Sequence, residues 1–156
     1  MAVYNSAVIT IASEFQDVAR IAVLEMSGMR VQESPDELKA MLNGLAEELA
    51  SKYQGQALGG VPAVQQIRAI FHRSGLDPTR YRPSSESLLR RTVKGKGLYF
   101  INSAVDLINY FSLKMLWPMG LYDADRVKAP VTWRAGRPGE SYEGIGRDRL
   151  NLEHFP

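Results

Sequence analysis

Residues 88–127 read LLRRTVKGKGLYFINSAVDLINYFSLKMLWPMGLYDADRV. Leu88 and Leu89 sit inward on a helix opened by Pro83-Ser84, with Arg90 and Arg91 beside them. Lys94-Gly95-Lys96-Gly97 stops that helix, because glycine disfavours helix continuation, and predicts a flexible basic loop. Ser103 starts another helix, in which Ala104, Leu107, Ile108, Phe111 and Met115 follow helical spacing. Asp106 is expected to accept from the first-turn N–H groups. Trp117-Pro118 terminates this helix, since a residue before proline is pushed away from the α region. Met119 to Tyr122 then reads as a strand.

Upstream, Ser34-Pro35-Asp36-Glu37 is a helix start: a capping serine, a proline suited to the first turn, and a glutamate completing a capping box. Leu38, Met41, Leu42, Leu45 and Leu49 carry that helix to about Tyr53. Pro62 to Ser74 forms another, with Val64, Ile67, Ile70 and Phe71 on one face and Gly75 ending it. Ser6 to Ile11 alternates and reads as a strand, and Ile21 to Met26 as a buried strand closed by Ser27-Gly28. Val131 to Trp133 reads as a strand, and the Gly-rich chain beyond Gly136 as hairpin-like. Strands, then helices, then strands predict an α+β fold: a mixed or antiparallel sheet packed with about four helices. No repeat or shift in composition marks a second domain, so residues 1–156 read as one.

Composition is ordinary for a globular chain of 156 residues, with 45% hydrophobic and 23% charged residues. A core of that size needs no staple. Without cysteine there is no disulfide framework and no thiolate metal site. Two distant histidines, His72 and His154, make a zinc site or a Ser-His-Asp set improbable. No signal peptide and no long apolar run is present, so neither secretion nor a membrane span is expected and a cytoplasmic place is. No cofactor is expected: there is no Walker A pattern, and the glycines of 136–146 do not make a dinucleotide fingerprint. Asp123 and Asp125 end a strand and cap a turn rather than share a metal.

Charge is unevenly placed. From Glu14 to Glu48 eight acids face three bases, and from Arg68 to Lys96 eight bases face two acids. The second stretch is a candidate polyanion footprint.

The stretch 88–127 resembles the editing module, domains B3 and B4, of the bacterial phenylalanyl-tRNA synthetase beta subunit. That family carries a basic helix, then Ile-Asn-x-x-Val-Asp-x-Thr-Asn-Tyr, then Gln-Pro-Met-His-Ala-Phe-Asp-x-Asp. Asp77 to Arg91, DPTRYRPSSESLLRR, is still more similar to freestanding B3/B4-domain proteins. The similarity runs from about Ile67 to Asp148. Asp106, Asn109, Tyr110, Pro118, Met119, Asp123 and Asp125 match the family pattern. Ile108 stands where the synthetase has a pocket threonine, and Gly120 where it has a pocket histidine. The glutamate that reads the tyrosine hydroxyl follows a later glycine pair in the family. Pro156 precedes any such segment, so the chain reads as truncated.

The resemblance implies a B3/B4-type fold, a tRNA or aminoacyl-tRNA partner with no DNA expected, and hydrolysis of tyrosine wrongly joined to the phenylalanine tRNA. It places Asp106, Ile108, Asn109, Met119, Gly120 and Tyr122 at the amino-acid pocket. Arg82, Arg90, Arg91, Lys94 and Lys96 would contact phosphates. Ile108 and Gly120 make the pocket more apolar and roomier, and shape alone discriminates weakly between amino acids. No residue stands out as a general base, so the catalytic residue is unknown. A noncatalytic RNA- or amino-acid-binding module is the alternative expectation.

Overall fold

The computed structural model describes residues 9–143 and 149–156. They form two compact units, one of residues 28–67 and 82–122, the other of 9–27, 68–81, 123–143 and 149–156. Four α-helices and two small sheets of short strands make the architecture α+β, as the sequence predicts.

The first unit is helical. It holds α1 (Asp36–Lys52), the beginning of α2 (Pro62–Arg73), α3 (Ser84–Val93) and α4 (Ser103–Met115). Leucines at three- and four-residue steps put Leu42, Leu45 and Leu49 on one side of α1. They pack with Leu58, Val61, Val64, Leu89, Leu113 and Leu116 into one core. Leu42, Leu89 and Leu113 are wholly enclosed. Each such leucine contributes about 1.5–3 kcal/mol through lost contact with water.

The helix ends differ in detail from what the sequence predicts. Ser34 does not complete a capping box: α1 has Pro35 at its cap position with no side-chain hydrogen bond. The Ser34 hydroxyl donates instead to Asp106 Oδ2 at 2.5 Å. A buried carboxylate must be satisfied by protein, whereas exposed first-turn N–H groups have water. Asp106 likewise does not serve the first turn of α4. Asn102 does, accepting from the N–H groups of Ala104 at 3.1 Å and Val105 at 3.0 Å. Asp106 accepts from the backbone N–H of Ile101 at 3.0 Å.

Beyond α3 the basic loop is tightly organised. Gly95 takes φ 65°, and its N–H donates to Thr92 O at 2.9 Å while that of Lys96 donates to Arg91 O at 3.1 Å. This pair of bonds is a Schellman motif. The sequence reading of a flexible loop missed it because its hydrogen bonds come from the backbone. α4 ends at Leu116, in left-handed conformation at φ 55°, and Ser112 Oγ donates to Trp117 O at 2.6 Å.

The second unit carries the strands. β1 (Ile9–Ile11) pairs in parallel with β2 (Val131–Trp133), Thr10 opposite Thr132, and their hydroxyls lie 3.1 Å apart. β3 (Ser141–Glu143) pairs antiparallel with β4 (Arg149–Asn151), which is the expected hairpin-like end. Phe15 is fully buried, with Trp133 at 4.9 Å between ring centroids. Phe155 meets Phe71 and Tyr81 edge-on. Residues 6–8 of the expected first strand, and 144–148 of the Gly-rich stretch, lie outside the described residues.

Two expected strands are not there. Ile21 to Met26 forms no ladder, and Val23 and Leu24 are exposed rather than buried. A β-rich sequence becomes a strand only when a neighbour accepts its hydrogen bonds, and none among the described residues does. Met119 to Tyr122 also forms no ladder. It follows the left-handed turn at Leu116 directly, and the Tyr122 ring lies against Gly120 instead of across a sheet.

Candidate nucleic-acid interface

The basic stretch from Arg68 to Lys96 is divided by the fold. Arg68, Arg73 and Arg80 belong to the strand-bearing unit, where Arg73 pairs with Asp17 and Arg80 covers the Tyr81 ring. The Arg73 pairing holds the Asp17 carboxyl below its usual range. Arg82, Arg90, Arg91, Lys94 and Lys96 belong to the helical unit.

Within that unit the cations play different parts. Glu86 is almost wholly buried in α3, and Arg90 Nε binds its Oε1 at 2.8 Å one turn later. Arg90 is therefore chiefly the counter-ion of a buried acid, at a spacing where helix side chains meet. Arg91 is held by the turn that follows it. Its Nε donates to Gly97 O at 2.6 Å, one of its terminal nitrogens to Lys96 O at 3.3 Å, and its Cζ stands 5.0 Å from the Tyr99 ring centroid. Lys94 and Lys96 are exposed on this braced turn, and Arg82 is exposed just before α3. The brace was not visible in sequence, because nothing in the Arg91-to-Tyr99 spacing announces it. The Glu86–Arg90 pair could have been found by its i,i+4 spacing.

The residues that the resemblance assigns to a pocket lie on α4 and the segment after it. Asp106 is fully enclosed, and its carboxylate is engaged by Ser34 and Ile101. It fixes the start of α4 from within. Ile108 and Asn109 are half-buried. The Asn109 amide has no hydrogen-bond partner among the described residues. Met119 is half-buried, while Tyr122 is 72% exposed. A Cβ at Gly120 would come within 2.9 Å of the Tyr122 ring, so that ring occupies the space a side chain there would take. The roominess expected at Gly120 is thus taken up by a neighbouring aromatic. No hydrogen bond ties Asn109 to Met119, Gly120 or Tyr122 among the described residues. Nearby, Lys114 lies over the Tyr110 ring, which meets Phe111 edge-on.

Asp123 and Asp125 make a turn: Asp123 Oδ1 accepts from the Asp125 N–H at 3.1 Å, and Arg126 pairs with Asp123. Among the described residues no group of three or more histidines, aspartates or glutamates could hold a metal ion, and no helix is long and apolar enough to cross a membrane.

The B3/4 domain family matches residues 66–155. The phenylalanine–tRNA ligase beta subunit of Thermobifida fusca is 30% identical over 141 residues, 78% of this chain and 17% of that protein. The subunit of the same name from Bartonella henselae is 32% identical over 69 residues, 44% of this chain and 9% of that protein. That from Rickettsia conorii is 44% identical over 48 residues, 31% of this chain and 6% of that protein. The chain therefore spans a small part of the length of these relatives. No solved structure matches it. With more than half of its residues matched by the family, this chain belongs to the B3/4 domain family.

Proposed function

We propose that this chain binds tRNA and acts on its aminoacylated end, removing a wrongly attached amino acid in trans. The reading is carried by membership of the B3/4 family together with the braced cationic turn after α3. The Arg91 guanidinium is fixed by backbone carbonyls and the turn that carries Lys94 and Lys96 is closed by backbone bonds, so little backbone freedom is lost when a polyanion binds there.

Arg82, Lys94 and Lys96 take phosphates, with Arg91 behind them and Arg90 largely committed to Glu86. Asn109, whose amide is uncommitted, orients the amino acid beside Ile108, Met119, Gly120 and Tyr122. Asp106 acts through α4 by holding its start. Backbone N–H groups of the 118–121 turn polarise the ester carbonyl. A positioned water, or a hydroxyl of the tRNA itself, supplies the proton transfer in place of a side-chain base. Water adds to the carbonyl carbon, the bond to the ribose oxygen breaks, and that oxygen takes the proton. No cofactor enters, and such a substrate belongs to the cytoplasm.

The apolar Ile108 and the Tyr122 ring at Gly120 favour a second reading, a noncatalytic RNA- or amino-acid-binding module. Deacylation of phenylalanine tRNA carrying labelled tyrosine, beside other mischarged tRNAs, separates the two. Release above background that falls with Asn109→Ala supports the hydrolase. Salt-dependent tRNA binding with no release from any substrate leaves the binding module.

A further inference from the structure

Resting on the tRNA reading, we infer that Tyr99, backed by Arg91, is a stacking platform for an unpaired base of a single-stranded RNA end. Three observations meet there. Tyr99 is 46% exposed, so a planar group can reach it from solvent. The Arg91 guanidinium stands 5.0 Å from its centroid. That guanidinium is itself fixed by bonds to Gly97 O and Lys96 O. An aromatic ring held in this way is pre-ordered for a flat partner.

The chain closes a small ring here. Residues 94–98 turn back after the last residues of α3, and the Arg91–Tyr99 contact fastens the turn. Lys94 and Lys96 stand on that loop and are exposed. From Arg82 to Val105 the only acid is Glu86, which is buried and bound to Arg90. The platform is thus flanked by cations that face no exposed carboxylate of the same stretch. One aromatic face beside fixed positive charge is what unpaired nucleotides need: a π-surface for the base and cations for the phosphates on either side. A duplex offers the phosphates but keeps its bases stacked inside, so only single-stranded residues use the ring.

The test compares two RNA hairpins with identical stems, one with an unpaired 3′ tail and one blunt, bound to the full chain and followed by fluorescence anisotropy. Tyr99→Leu and Tyr99→Ala should weaken binding of the tailed hairpin about ten- to a hundredfold and leave the blunt one unchanged, while Tyr99→Phe keeps both. Leucine preserves apolar bulk, so Tyr99→Leu reports on stacking if Tyr99→Ala disturbs the fold. Equal binding of the tailed hairpin by wild type and Tyr99→Leu overturns the platform but leaves the tRNA reading standing. Failure of the wild-type chain to bind either hairpin at low salt overturns both.

Discussion

The Ser34 hydroxyl donates to Asp106 Oδ2 at 2.5 Å across 72 positions of sequence, and both side chains are buried. This bond joins the entry of α1 to the first turn of α4. The backbone N–H of Ile101 completes the set around the carboxylate. A neutral donor on a buried charge is worth more than an ordinary hydrogen bond, about 1.5–3 kcal/mol.

Ser34→Ala should therefore destabilise the chain by about 1–3 kcal/mol, because the Asp106 carboxylate loses a partner without gaining water. Urea unfolding measures it. A midpoint equal to wild type would show that the bond does not hold α1 to α4.

Asn102→Ala should cost about 1 kcal/mol, since two N–H groups of α4 lose their acceptor. Asn102→Asp should keep most of that stability, because a carboxylate accepts from the same groups and favours the positive end of the helix. Thermal unfolding of the two variants separates capping from packing.

Gly136 permits a close approach that no other residue can. An added Cβ would lie 1.8 Å from Leu152 O, where Gly136 exchanges backbone bonds with His154 and Phe155. Gly136→Ala must push the backbone apart and should destabilise by about 1–3 kcal/mol or more. The variant should also lose amide protection at Gly136 and His154 in hydrogen exchange.

Arg134 grips Glu140 through two bonds, at 2.6 and 2.8 Å, and the Arg137 N–H adds a third. The Arg134 guanidinium and that N–H hold the Glu140 carboxyl at about 2, below its usual 4.5. A depressed carboxylate stabilises the folded state fully above its unfolded value. That stabilisation fades as pH falls from about 4.5 towards 2. Glu140→Gln should therefore lower the urea midpoint at neutral pH and flatten its fall in acid. An acid limb as steep as wild type would contradict the pairing.

The four helices were legible because each repeats its apolar residues at helical spacing, and local chemistry starts and stops them. Leu42 and Leu49, Gly75 and Pro118 are examples. The expected capping roles of Ser34 and Asp106 failed for one common reason. Each side chain can serve a local N–H, but together they satisfy each other, and no local pattern carries that pairing. Ile21 to Met26 has the composition of a buried strand, yet composition does not supply a neighbouring edge. At the candidate interface, the clustered arginines and lysines were plain in sequence. The burial of Glu86 commits Arg90 to it, and the contact with Tyr99 fixes Arg91, so the two arginines differ in ways that charge alone does not reveal.

The most direct measurement is the affinity of the full chain for tRNA as salt is raised. Log affinity should fall linearly with log salt, and replacing Lys94 and Lys96 together by glutamine should make the slope shallower by roughly 0.7–0.9 per lysine. Absence of tRNA binding at low salt, or a slope that the double replacement leaves unchanged, would contradict it.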